Sequence, residues 1–157
     1  MSKQSEKIRN KEYIYAPELE TLAKKVIEEK DLPTNPARIK YILVYPNISK
    51  KTAGKCIRCS NELKFLGDCD YIVEMSGDLW EQLDEETQYI LMWHELKHIL
   101  VTVNDKTGEN EFRMLDHDVQ DFYSIIKAHG IDWFTNLKTM AASVYDLDPN
   151  DLDGFSI

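Results

Sequence analysis

The 157-residue chain has only three cysteines, six glycines and five prolines. An odd cysteine count in a chain without a secretory leader does not build a disulfide framework, so Cys56, Cys59 and Cys69 are expected as thiols. No stretch approaches the roughly 20 consecutive apolar residues of a bilayer-spanning helix, and residues 1–11 lack the apolar core of a signal peptide. The sequence therefore predicts a cytoplasmic protein with no membrane partner. Positive charge is scarce as well: 19 Lys+Arg against 28 Asp+Glu give a net charge of −9, which disfavours generic attraction to nucleic acid.

Hydrophobic residues make up 43% of the chain and charged ones 30%, enough apolar material for one ordinary core and too much for disorder. A single domain over residues 13–157 is expected, with residues 1–12 as a flexible arm and an acidic tail from about residue 146. Charge divides along the chain: residues 1–65 carry 14 Lys/Arg and 8 Asp/Glu, residues 66–157 carry 5 and 20. Pro17 starts a helix whose apolar positions run from Leu19 to Ile27. Strands are predicted at about 38–45 and 71–75, with 55–60 and 63–66 as strand or loop segments. Asp84 reads as the N-cap of a long helix to about Val101. A polar loop follows at 104–111, then a helix ending at Gly130 and an amphipathic helix around 133–144.

Between Tyr89 and Val103 ten of fifteen residues are apolar and spread around almost the whole helical circumference, as in a helix buried on most sides. This segment contains His94-Glu95-Leu96-Lys97-His98. On a helix, positions 94 and 98 lie about 40° apart and one turn up, so both imidazoles reach one point. Ionisable groups in an apolar setting need a partner, and a metal ion supplies one for two neutral imidazoles. The string matches HExxH, in which two histidines bind zinc and the glutamate is a general base.

A catalytic zinc takes three protein ligands and keeps one position open for water. His117, which opens the next predicted helix, is the leading third candidate, with Asp116 and Asp118 beside it as orienting partners. Glu109, Glu111 and Asp116 are rivals. His129, next to Gly130, reads as a helix C-terminal cap. Three neutral histidines would leave the ion near +2, able to lower the pKa of a bound water towards ~7. Glu95 would accept that water's proton.

These residues, together with His117-Asp118, Val119-Gln120-Asp121-Phe122 and His129-Gly130, resemble the phage metallopeptidase family. The resemblance extends upstream through Pro17-Glu18-Leu19, Ile39–Tyr45, Gly54-Lys55 and Asp70–Val73. It implies an α+β zincin-like fold, a small mixed or antiparallel sheet packed on a central HExxH helix with further C-terminal helices. It also implies one catalytic Zn2+ on His94, His98 and His117, with Glu95 as base, a protein or peptide substrate, and action in the bacterial host cytoplasm. More distantly the arrangement is similar to SprT-type and ImmA/IrrE-type metallopeptidases. No zinc ribbon follows the catalytic segment, and Val101 and Asn104 stand where a metzincin needs Gly and His.

Other signals are weaker. Cys56-Ile57-Arg58-Cys59 is a CxxC with Cys69 ten residues on, but no fourth ligand is well spaced for a second zinc. Lys50, Lys51, Lys55, Arg58 and Lys64 form the only plausible nucleic-acid contact, without the aromatic interleaving such surfaces carry. The strand at Asp70–Met75 is a candidate edge for an extended peptide, and a buried central strand is equally compatible. The acids of residues 66–157 would favour basic or unfolded peptides. The competing reading is a catalytically silent zincin-like domain that binds a host or DNA-associated protein, and a non-proteolytic zinc hydrolase is a third. Glu95 separates the first two, since a structural zinc site has no use for a general base.

Overall fold

In a computed structural model of the protein, the residues described are 5–8, 10–115, 125, 127–130, 132–148 and 154–157. The chain opens with two antiparallel strands, β1 (Ser5–Ile8) and β2 (Lys11–Tyr15), so part of the expected N-terminal arm is the edge of a sheet. Helix α1 (Pro17–Lys30) has Pro17 in its first turn, where the missing N–H costs nothing. It ends at Asp31 with φ 51°, a left-handed cap.

Strands β3 (Ile39–Tyr45), β4 (Gly54–Arg58) and β5 (Tyr71–Ser76) complete a mixed five-stranded sheet in the order β1-β2-β3-β5-β4. Only β3 and β5 pair in parallel. Strand β5 is therefore interior, and the sheet edge beside it is β4. Of the two readings of Asp70–Met75, the exposed edge is corrected and the central strand stands: both its sides are paired, and Tyr71, Val73 and Met75 are buried.

Register places Tyr41, Val73 and Cys56 in one row and Leu43, Met75 and Gly54 in the next, and side chains in a row share a face. On that face α1 packs against β3 and against α4 (Glu85–Leu96), which also packs on β4. Leu19, Ala23 and Val26 of α1 join Ile90, Leu91 and Met92 of α4 and the β3–β5 residues in one buried core. Helix α3 (Gly77–Gln82) follows β5 directly and packs against α5 (Asp132–Val144).

Helix α2 (Asn61–Gly67) occupies the segment expected as strand or loop. Ser60 caps it by accepting a hydrogen bond from the Leu63 amide, a signal strong enough to outweigh the apolar run at 63–66. The larger correction is at the other end of the chemistry. Helix α4, capped by Asp84 through the Thr87 amide, stops at Leu96, and Ile99–Val103 is a strand, β6, paired antiparallel with β7 (Asn110–Met114). The β-branched residues Ile99, Val101, Thr102 and Val103 favour a pleated hairpin over another helical turn. Residues 127–129 are helical and Gly130 follows with φ 85°, as a helix stop requires.

Candidate active site

His94 and Glu95 sit in the last turn of α4 and are fully buried, with His98 only 7% exposed. The helix closes through Lys97 N–H to Trp93 O at 3.0 Å and then tightens, His98 N–H donating to Glu95 O at 3.2 Å. His98 is thus in the turn after the helix, not on the helix as expected. The tightened turn still brings the imidazoles together, with ring centroids 5.1 Å apart and planes at 83°.

The β6–β7 hairpin fixes His98 from the other side. Leu115 N–H donates to His98 O at 2.8 Å, and Leu115 O lies 2.6 Å from His98 Nδ1. A carbonyl can only accept, so Nδ1 carries a proton, which in the neutral ring leaves Nε2 as the nitrogen able to bind a metal. The hairpin is tied to the sheet by the Tyr71 hydroxyl, which donates to Arg113 O at 2.7 Å, and by Arg58, which donates to Phe112 O.

Glu95 faces β4. A Cβ on Gly54 would lie 2.9 Å from Glu95 Oε2 and 2.9 Å from Met75 Sδ, so the carboxylate occupies space that only glycine leaves free. Two residues along the strand, burial and then the charge of Glu95 push the Cys56 thiol well above its ordinary value, which keeps it a neutral thiol. Glu95 and His98 open onto a cleft of about 470 Å³. Thr52, Gly54 and Cys56 form one wall, Met114 and Leu115 contribute another, and Ser156 and Ile157 also line it. Its charged lining, among the described residues, is Glu95 and Lys55. Among the described residues, the acidic excess of residues 66–157 is not gathered on the cleft.

His117 and its neighbours Asp116 and Asp118 lie outside the described residues. Of the rivals, Glu111 is on β7 and pairs with Arg113 at 2.9 Å, on the hairpin face opposite Ile99 and Met114. Glu109 is exposed in the turn before it. Neither lines the cleft. Among the described residues no three His, Cys, Asp or Glu side chains gather as a metal-holding group. His129 lies against Trp93, with Nδ1 3.8 Å from Glu86 Oε1. Cys59 and Cys69 are buried side by side, their sulfurs 3.2 Å apart, while Cys56 belongs to the cleft. Of the basic cluster, Arg58 and Lys64 both engage Phe112, the latter over its ring.

Two residues essential to this geometry escaped the sequence reading. Gly54 carried the right signal, a glycine opening a strand, which marks close approach by another group. Leu115 carried none, because its role is that of its carbonyl.

The site is a buried turn carrying His94, Glu95 and His98 beneath a cleft beside β4, the edge strand of the sheet. The chain is a member of the family described as "Putative phage metallopeptidase", whose sequence profile matches residues 11–145. No curated protein and no solved structure matches the chain. Membership implies a protein or peptide substrate and a metal. The donor chemistry fits one: adjacent imidazoles, one with its tautomer set by a carbonyl, beside a carboxylate that lines a cleft.

Proposed function

We propose that the protein is a zinc-dependent metallopeptidase in which His94, His98 and His117 hold the ion and Glu95 is the general base. The observation that carries this reading is His98 held through Nδ1 by Leu115 O, with Glu95 beside it facing the same cleft. His117 follows Leu115 by two residues in sequence, which supports it as the third ligand. Zinc bound there would polarise the scissile carbonyl and the attacking water.

The remaining work falls to the chain's own groups. Glu95 Oε accepts a proton from the water as its oxygen adds to the carbonyl carbon. It then returns the proton to the amide nitrogen as the C–N bond breaks, so atoms and charge balance. Gly54 leaves room for that carboxylate between β4 and α4. The edge of β4 lies along the cleft wall, and its outward N–H and C=O groups suit an extended peptide by strand addition. Metal analysis tests the assignment. Protein purified without added metal should hold about one zinc per chain, as one catalytic site requires, and His98→Ala should lose it. Full zinc in His98→Ala would overturn the ligand set.

A further inference from the structure

The strand edge that lines the cleft is already in use at one end. Ser156 N–H donates to Lys51 O at 2.6 Å, and Ala53 N–H donates to Ser156 O at 2.8 Å, which makes a short parallel pairing centred on Thr52 and Ser156. The segment is held from behind as well: the Phe155 ring lies 6.1 Å from Phe134 of α5, and Ile157 is buried with the core. Ser156 and Ile157 both line the cleft onto which Glu95 and His98 open.

We propose that residues 154–157 are an internal strand that competes with substrate for the edge preceding β4, so that a long extended chain binds only by displacing it. The inference rests on the peptidase reading above. A peptide laid along the edge opposite Glu95 and continuing past Gly54 needs the Lys51 carbonyl and the Ala53 amide. Those two groups are the ones Ser156 holds. Two hydrogen bonds, one ring contact and the burial of Ile157 make a local tether, within reach of displacement by a chain that pairs over more residues. The strap therefore discriminates: it yields to unfolded chains long enough to pair along β4 and excludes short peptides that cannot repay its removal.

The test uses the zinc-loaded full chain carrying Glu95→Gln, which binds without cutting, and fluorescein-labelled casein as an unfolded probe. Anisotropy gives the affinity, and hydrogen exchange reads the Ser156 amide. In the chain with no further change, that amide should be protected when free and lose protection when casein binds. Adding Ser156→Pro, which removes the donor to Lys51 O, or Phe155→Ala, which removes the contact with Phe134, should tighten casein binding by about fivefold, the worth of one net hydrogen bond. A Ser156 amide equally protected with and without bound casein overturns the proposal, as does unchanged or weaker binding by Phe155→Ala. Casein binding by none of these proteins overturns the peptidase reading and this inference with it.

Discussion

The carbonyl oxygen of Leu115 accepts a hydrogen bond from His98 Nδ1 at 2.6 Å, across 17 residues of sequence. In the proposed site, this one contact makes the β6–β7 hairpin the support of a metal ligand. Zinc affinity should accordingly depend on a residue that never touches the ion. Leu115→Pro removes the amide that donates to His98 O and disturbs the carbonyl register. It is expected to weaken zinc binding by 10–100-fold, measured by competition with a chromophoric chelator. Wild-type affinity in that variant would show that the hairpin does not orient His98.

Gly54→Ala separates metal binding from catalysis. The added methyl would meet Glu95 Oε2 at 2.9 Å, and displacing a catalytic carboxylate by about 1 Å costs on the order of 10²-fold in rate. Zinc content should stay at the wild-type level while casein cleavage falls by about that factor. Equal loss of zinc and activity would place Gly54 in the metal site itself.

Much of this arrangement could be read from the residues. Pro17, the Asp84 cap and the alternation of Tyr71, Val73 and Met75 act locally, and the elements they mark form where the patterns put them. The error after Leu96 has a physical origin. Residues 90–96 of α4 are all buried, so the all-round apolar pattern holds there, but the apolar run continues past the helix end into β6, whose β-branched residues favour a strand. Neither the order of β4 and β5 nor the arrival of Ser156 beside Thr52 has a local signal, since each depends on pairing across long sequence separations. That His94, Glu95 and His98 come together was legible because it follows from their spacing in the chain.

For the third ligand, His117→Ala should reduce zinc affinity by several orders of magnitude, whereas Glu111→Ala should leave it within about twofold, because Glu111 pairs with Arg113 away from the cleft. Isothermal titration with zinc compares the two directly. The reverse ranking would transfer the role to β7.

Stability has its own pH signature at the start of β5. Asp70 is buried; burial alone would raise its pKa, but hydrogen bonds from the Arg38 side chain and amide outweigh this and hold it below its ordinary value. A depressed folded-state pKa means that the stabilisation is complete above the unfolded value and is lost as pH falls through the folded one. Arg38→Gln should therefore move the acid-unfolding midpoint to higher pH. At pH 7 the cost should be small, because the Arg38 side chain is half exposed and screened by solvent. Circular dichroism across an acid titration reads both, and an unmoved midpoint would mean that the pair contributes nothing.

The central claim is that Glu95 is a base beside a metal and not a packing residue. Casein cleavage by zinc-loaded wild type and Glu95→Gln, with zinc content measured on the same samples, tests it most directly. The account predicts about one zinc per chain in both and cleavage reduced at least ~10²-fold in the variant, the scale of a lost general base. Glu95→Gln cleaving at the wild-type rate with its zinc in place would contradict it.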